Sequence, residues 1–299
     1  MRSATDELTI ESDLQHQPER GGSARLHRWM RRYPTMLLGI GLLGIMAVIA
    51  LGAPWWGTID PLELNPIERL RPPSGTHWFG TDMLGRDLYS RTVYGSRISL
   101  LVGLCVAVMS MTAGLIIGLF SGYHRHVDAV VMRIMDGMMA IPSILLAIAL
   151  MALMSASVQN VIIALTIPEI PRVVRVVRSV VLSLREQAYV EASRAIGARL
   201  WRILSRHIMP NTVAPLIVQG TYICASAVIF EAYLSFLGAG TPPQIPSWGN
   251  IMAEGRTYVQ LAFWIILFPG LCLALTVLAI NLVGDGLRDT LDPKLARRM

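Results

Sequence analysis

Lysine is almost missing from this sequence, because Lys294 is the only lysine among 299 residues. A phosphate-binding P-loop needs a glycine-rich turn that ends in lysine, and Lys294 follows Pro293 with no such turn before it. We therefore expect that the chain does not hydrolyse a nucleotide by that route. If ATP drives a process in which the chain takes part, the ATPase must be another polypeptide.

Charged residues are also scarce. They make up 15% of the chain, whereas about a quarter of the residues in a soluble domain are charged. The net charge of +6 comes almost entirely from arginine, and the arginines lie at the ends of apolar segments. A basic soluble protein would suggest nucleic acid as a partner. This distribution indicates a membrane protein instead, with no nucleic-acid partner.

Cysteines and metal-ligating clusters are few. The three cysteines, Cys105, Cys224 and Cys272, each lie inside an apolar run, too scattered for a zinc pattern and poorly placed for disulfides. His124 and His126 are two residues apart with no third ligand nearby, which is a weak metal signal. There is no HExxH motif, no convincing Ser/His/Asp set and no carboxylate pair. We therefore predict no metal, no cofactor and no catalytic residue, which disfavours a membrane-embedded enzyme.

What the sequence does contain is a series of apolar segments, each close to the roughly 20 residues that cross a bilayer as a helix. The predicted spans are residues 34–54, 98–120, 134–155, 158–177, 212–237 and 259–283. They predict an all-α polytopic membrane helix bundle with six transmembrane helices. A cleaved signal peptide is the alternative for the first run, but the run is long and Pro54 would follow the most plausible cleavage point.

Several residues make local predictions within and between these spans. Pro142 predicts a kink in the third span, and Asp136 is expected in that span's first helical turn. Small residues at four-residue spacing in the second span predict a close helix contact; they are Ser110, Gly114 and Gly118. Before that span, Asp82 with Arg86, and Asp87 with Arg91, are four residues apart and predict ion pairs along a helix.

The positions of the arginines predict the topology. Residues 1–33 form a polar tail with four arginines near its end, so the N-terminus is expected to be cytoplasmic. Six spans then place the basic loop 121–133, the stretch 185–211 and the tail 285–299 on the cytoplasmic side. The connector, residues 55–97, is expected outside. Residues 98–284 hold the other five spans.

The stretch 185–211, which we call the elbow, is a charged, water-compatible segment between two apolar ones. Its second half repeats apolar residues at helical spacing on one face, namely Leu200, Ile203, Leu204 and Ile208, with Arg199, Arg202 and Arg206 on another. Gly197 divides the elbow, and Pro210 cannot continue a helical hydrogen-bond ladder. The pattern predicts a helix, a glycine break, a second helix and a proline stop.

The spacing of Glu191-Ala192, Gly197 and Pro210 resembles the EAA loop of ABC-importer permease subunits, with Ser193, His207 and Met209 as mild departures. Further stretches resemble the dipeptide, oligopeptide and nickel branch of those permeases. They are His77–Leu100, the SFLG-G-PP-WG spacing that begins at Ser235, and Asn281–Leu295. The resemblance covers roughly residues 35 to 295.

This resemblance implies a type I (MetI-like) ABC importer permease core in the bacterial inner membrane. It also implies a second homologous permease subunit, two ATP-binding subunits on the cytoplasmic face and an extracytoplasmic substrate-binding protein. The ATP-binding subunits would bind the ATP and dock on the elbow. The residues assigned to this coupling loop are Glu191, Ala192, Arg194, Gly197, Leu200 and Pro210. The connector is expected to be a structural cap under the binding protein.

Ionisable side chains at membrane depth are costly and suggest function. Glu169 is expected either to face a water-filled passage and meet a cationic part of the cargo, or to pair with Arg172 or Arg175. Glu231, with Ser235 one turn on, is expected either to line the external end of the passage or to bond to a neighbouring helix. A secondary transporter driven by an ion gradient is the rival function, although no repeat and few acids support it. Dipeptides, oligopeptides, glutathione-like peptides, opine-like conjugates and nickel chelates all remain open as cargo.

Overall fold

A computed structural model of the chain describes residues 34–291. The predicted tail 1–33 and the part of the C-terminal tail from 292 onward, with Lys294, lie outside the described residues. Within the described range we number ten α-helices in chain order. They are α1 (Pro34–Leu51), α2 (Leu88–Tyr123), α3 (Arg125–Met139), α4 (Ser143–Ala152), α5 (Val158–Leu184), α6 (Ala188–Ala195), α7 (Leu200–Ile203), α8 (Met209–Phe236), α9 (Trp248–Gly255) and α10 (Trp264–Leu291).

The all-α membrane bundle is confirmed, but the count of six spans is not. Among the described residues, four helical segments are long and apolar enough to cross a bilayer, namely α1, α2, the continuous stretch Leu200–Phe236 and α10. The bent pair α3 and α4 would make a fifth. Helix α5 has 27 residues, but every long window in it contains Glu169, Arg172 and Arg175. With these charges, α5 is not among the helices that are apolar enough to cross a bilayer by composition alone.

The predicted loop 121–133 is wrong, and the predicted bounds 134–155 of the third span differ from those of the bent pair α3 and α4. Helix α2 continues to Tyr123 and α3 begins at Arg125, so almost no loop separates them. Helices α3 and α4 meet at an angle of 86°, which confirms the break predicted from Pro142. Proline lacks an amide hydrogen and disfavours helical geometry in the residue before it. Asp136 therefore lies in the last turn of α3, not in a first turn.

Helices α2 and α5 make the most extensive helix contact in the described part of the bundle. Three glycines of α2 (Gly114, Gly118, Gly122) face three valines of α5 one for one (Val173, Val177, Val181). A methyl group added to Gly118 would lie 2.7 Å from the Cβ of Val177. The small-residue face predicted for the second span is thus confirmed. It extends one turn further than predicted, to Gly122.

The rest of the bundle is arranged around this pair. Helix α8 packs against α2, α5 and α10, and α1 packs on the outer side of α10. The connector, α9 and the first turns of α2 and α10 share one end of the bundle, because the Trp264 indole of α10 donates to the Thr81 carbonyl. The elbow and the last turns of α5 and α10 share the other. We call these the connector end and the elbow end.

The connector is held by buried ions, although its pairs differ in part from those predicted. Asp82 and Arg86 do pair, at 2.6 Å, although the residues between them form a turn and not the predicted helix. Asp87 does not pair with Arg91, because its carboxylate accepts from the Ser90 amide at 2.8 Å and begins α2 there. Arg91 instead contacts Asp82 and Glu254, each at 3.1 Å. The ions fix the connector to α2 and α9.

His77 joins two acids of the connector. Its Nδ1 lies 2.9 Å from Asp87 and its Nε2 lies 3.0 Å from Glu68. The hydrogen bond to Asp87 is the main reason that the pKa of His77 is raised above its ordinary value, with burial opposing the shift and Glu68 adding to it. The protonated ring therefore stabilises the folded connector.

We expect this stabilisation to depend on pH. Because the folded pKa is raised, the contribution is fully present below the unfolded pKa of about 6.5 and is lost as pH rises through the folded value. The difference in thermal midpoint between the natural chain and His77→Gln should therefore shrink from about pH 6 to about pH 9. His126→Gln, on the exposed face of α3, is the control and should show no such trend. A constant difference for His77→Gln would contradict the assignment.

We also expect Gly118→Ala to destabilise the purified chain by about 1–3 kcal/mol, because overpacking forces α2 and α5 apart. Gly41→Ala is the matched control, since a methyl group there meets nothing within 4 Å. Alanine favours a helix over glycine by up to about 1 kcal/mol, so the control should be neutral or stabilising. Thermal unfolding in detergent measures both variants, and equal effects would refute the close contact.

Candidate functional site

The elbow has the predicted helix, glycine break and second helix. Helix α6 ends at Ala195, and Gly197 follows with a positive φ of 77°, which glycine adopts without steric cost. The Gly197 amide donates to the Arg194 carbonyl and the Ala198 amide to the Ser193 carbonyl, at 2.9 and 3.0 Å. These two bonds form a Schellman motif, which satisfies the last carbonyls of a helix. Gly197 therefore sets the direction in which the chain leaves α6.

The apolar side chains of the elbow attach it to the bundle. Val190, Ile203, Leu204 and Ile208 are fully or almost fully buried in the main hydrophobic core, and Leu200 packs against that core. Arg199, Arg202 and Arg206 are exposed. The predicted division into an apolar and a basic face is therefore confirmed.

Pro210 does not stop the second helix, and that prediction is wrong. One π-helical turn, Leu204–Ile208, joins α7 to α8, and Pro210 lies in the first turn of α8. The missing amide hydrogen of proline costs little in a first helical turn. A π turn inserts one extra residue into the helix. Residues 200–236 consequently form one continuous helical segment.

The break in the elbow exposes large apolar side chains beside arginines. Ile196 is 85% exposed and Trp201 is 71% exposed. With Gly197, Ala198, Arg199 and Arg202 they line an open cavity of about 530 Å³. We call these six residues the elbow surface. Exposed apolar patches ringed by polar groups are typical of protein-binding sites.

The other assigned coupling residues lie on α6. Glu191 and Ala192 are exposed in its first turns. Arg194 donates to the Tyr123 hydroxyl at 3.0 Å and places its guanidinium 4.7 Å from the ring centroid. Tyr123 is the last residue of α2. Of the assigned set, the structure therefore brings Arg194 into contact with the bundle and leaves Glu191 and Ala192 at the surface.

Sequence reasoning missed the ion pairs that hold α3 to α5. Asp128 accepts from both the Nε and Nη2 of Arg178, and Asp136 accepts from Arg175 at 2.5 Å. The partners are 50 and 39 residues apart in the chain, so no local spacing signals them. Arg185 adds a bond from its guanidinium to the Gly122 carbonyl at 3.1 Å.

Glu169 lies inside the single chain. It is 2% exposed, and the Arg172 guanidinium lies 3.5 Å from its carboxylate. The predicted pair with Arg172 is therefore present, whereas Arg175 pairs with Asp136. Neither carboxylate oxygen of Glu169 has a hydrogen-bond partner among the described residues. The side chain does not open onto a passage in this conformation.

Glu231 and Ser235 belong to a buried polar network at the connector end. The Glu231 carboxylate accepts from Ser99 of α2 at 3.2 Å and from Ser235 at 2.9 Å. Ser235 and Thr241 lie 3.3 Å apart, and the Asn250 amide donates to Thr241 at 2.9 Å. The bond to Ser99 matches the predicted contact with a neighbouring helix.

No group of three or more metal-ligating side chains occurs within residues 34–291. His124 and His126 are both exposed at the start of α3.

Comparison with known proteins agrees with this description. A family model described as a binding-protein-dependent transport system inner membrane component matches residues 111–297. A probable peptide ABC transporter permease protein of Sinorhizobium fredii is 53% identical over 271 residues, 91% of this chain and 93% of the relative. A dipeptide transport system permease protein of Alkalihalophilus pseudofirmus is 43% identical over 267 residues, 89% of this chain and 88% of the relative.

Among solved structures, an inward-facing conformation of the MetNI methionine ABC transporter is similar, with a TM-score of 0.53 at 22% sequence identity. The match covers 68% of this chain and 96% of that chain, and it shows a shared fold. The predicted membership of the ABC-importer permease family is confirmed by the family match and by these relatives. The chain belongs to the family of binding-protein-dependent transport system inner membrane components.

Proposed function

We propose that this chain is a permease subunit of an ATP-driven peptide importer in the bacterial inner membrane. In this proposal α3 and α4 together form one span and α5 another, which gives six spans with both termini in the cytoplasm. A second, related permease pairs with the chain. A binding protein delivers peptides at the connector end, and two ATP-binding subunits dock at the elbow end.

The elbow surface is the observation that carries the proposal. Its apolar side chains lie at the surface, although the rest of the elbow is anchored in the core. The segment is therefore ordered, and its apolar surface is open to a partner. Interfaces concentrate their binding energy in aromatic and arginine side chains, and Trp201, Arg199 and Arg202 supply both. ATP hydrolysis belongs to the docked subunits, since the family supplies it in partners and the chain has no P-loop lysine.

The contacts of the elbow can transmit its displacement to the helices of the bundle. Arg194 holds the end of α2 through Tyr123, and Arg185 holds Gly122 one residue earlier. On its other side the elbow continues through the π turn into α8. When ATP brings the docked subunits together, α2 and α8 are displaced with the elbow, and access switches from one side of the membrane to the other.

We infer from the names of the relatives that the cargo is a peptide. Both relatives described above carry peptide or dipeptide transport in their names. The connector acts as a rigid platform for the binding protein, because buried ion pairs fix it to the bundle. These pairs involve Asp82, Arg86, Arg91 and Glu254. We assign selection among peptides mainly to that binding protein.

Gly197→Val tests the coupling. A residue with a Cβ at this positive φ costs about 1–2 kcal/mol, and nothing lies within 4 Å of the added atom. The effect is therefore one of backbone direction, not of a clash. We expect the variant complex to lose most of its peptide-stimulated ATPase activity and to retain less ATPase subunit on purification. Gly197→Asn is the matched control, because asparagine tolerates this conformation, and it should remain close to the natural chain.

Normal stimulated ATPase activity in Gly197→Val would count against the coupling role. The broader proposal has its own test, which is co-purification of an ATPase with the natural chain. Full transport by the purified chain alone, driven by an ion gradient, would refute the importer and support a secondary transporter.

Glu169→Gln tests the predicted role of Glu169 in the pathway. Glu231 and Ser235 are still proposed to line the external end of that pathway. A contact with the peptide amino terminus requires α5 to turn Glu169 out of the interior during transport. We expect loss of that charged contact to lower uptake about tenfold in a complex that still retains its ATPase. Unchanged uptake in a normally assembled complex would refute the contact with cargo. The pair with Arg172 would then be the remaining role of Glu169.

A further inference from the structure

The two long sides of the bundle differ in their exposed residues. The side formed by α1, α2 and the outer face of α10 exposes large apolar side chains, including Ile45, Val48, Leu101, Leu104 and Leu278. Such a surface suits the hydrocarbon of a bilayer. This side therefore faces lipid.

Helix α5 exposes the opposite kind of face. Arg172, Arg175, Ser179 and Ser183 recur every three or four residues along it and are all exposed. The guanidinium side chains of Arg172 and Arg175 are 46% and 45% exposed. Charged side chains at membrane depth face a bundle interior or a water-filled space, because hydrocarbon excludes them. The exposed face of α5 therefore faces water or another protein subunit.

A groove lies beside this face, between α5, α8 and α10 at the elbow end. Its volume is about 510 Å³, within the range of about 300–1,000 Å³ that is usual for small-molecule sites. Val176, Ala214, Pro215 and Val218 give it an apolar wall. Gln219, Tyr222 and Arg288 bring polar groups, and Leu291 completes the lining.

Among the residues that line the groove, Arg288 is the one that carries a charge. The Tyr222 hydroxyl donates to the Asp285 carboxylate at 2.7 Å, so that acid is engaged at the rim. Arg288 supplies the guanidinium that lines the groove, and guanidinium prefers carboxylate oxygens as hydrogen-bond acceptors. A carboxylate attached to a small apolar body matches this combination of one cation and an apolar wall.

We propose that this groove is the elbow-end half of the cargo pathway and that it takes a short peptide by its C-terminal carboxylate, with Arg288 as the contact. The proposal rests on the proposed function and adds the part of the cargo that the permease itself contacts. The contact is opposite in sign to the one predicted for Glu169, so a zwitterionic peptide can satisfy both.

Charge-selective labelling of Val218→Cys tests the groove directly. The complex with its partner subunits is reconstituted in proteoliposomes without nucleotide. An anionic (sulfonatoethyl) or a cationic (trimethylammonioethyl) methanethiosulfonate is added on the side of the elbow. Modification of this chain is followed by mass spectrometry, with the natural chain as background for Cys105, Cys224 and Cys272. We expect both reagents to react, the anionic one preferentially.

Arg288→Gln should lower the ratio of anionic to cationic rates about fivefold, as expected for removal of one nearby charge in water. Arg288→Lys should retain the ratio, and Arg133→Gln, an exposed arginine of α3 outside the groove, is the matched control and should leave it unchanged. A dipeptide with a free carboxylate should slow labelling, whereas its C-terminal amide should not. That protection should disappear in Arg288→Gln.

Three outcomes would overturn the proposal. Absence of labelling by either reagent would show that lipid or the second permease fills the groove. A ratio insensitive to Arg288→Gln, or equal protection by the acid and the amide, would remove the carboxylate contact. The proposed function has a different test, and it is refuted if no ATPase co-purifies with the chain. Failure of the labelling test in a complex that retains its ATPase overturns only the groove.

Discussion

The close approach of α2 and α5 is the constraint on which the other features depend. Glycine at three successive turns of α2 lets three valines of α5 approach its backbone. In a bilayer this kind of packing replaces the hydrophobic effect, because lipid chains are as apolar as the side chains. The same contact places the end of α5 beside Gly122, where Arg185 bonds to the backbone. The packing of these two helices thus helps to set the position of the elbow.

Much of this arrangement was predictable from the sequence, for physical reasons that differ between its parts. The Ser110–Gly118 spacing predicted a close helix contact because a helix repeats every 3.6 residues, and Gly197 predicted a break because only glycine freely adopts positive φ. The amphipathic pattern of Leu200, Ile203, Leu204 and Ile208 predicted which face of the elbow is buried. These signals are local, and local geometry is what a single sequence specifies most directly.

The errors come from contacts that sequence spacing does not express. Pro210 was expected to end a helix. The sequence alone does not distinguish a proline that ends one helix from a proline in the first turn of the next, and the structure shows the second case, with a π turn before it. The pairs of Arg178 with Asp128 and of Arg175 with Asp136 join distant parts of the chain. The bond from Ser99 shows that Glu231 contacts a neighbouring helix, which is one of the two roles that the sequence left open. Arg288 carried no signal, because an arginine in a last helical turn is common.

The continuity of residues 200–236 has a mechanical consequence. Thirty-seven helical residues form a rod about 55 Å long at 1.5 Å per residue. One end carries Trp201, and near the other end the bond from Ser99 of α2 holds Glu231. With that far end acting as a fulcrum, each degree of tilt sweeps Trp201 through an arc of about 1 Å. A stroke of a few ångströms by a motor protein thus corresponds to a rotation of only a few degrees, small enough for a tightly packed membrane bundle to absorb without melting.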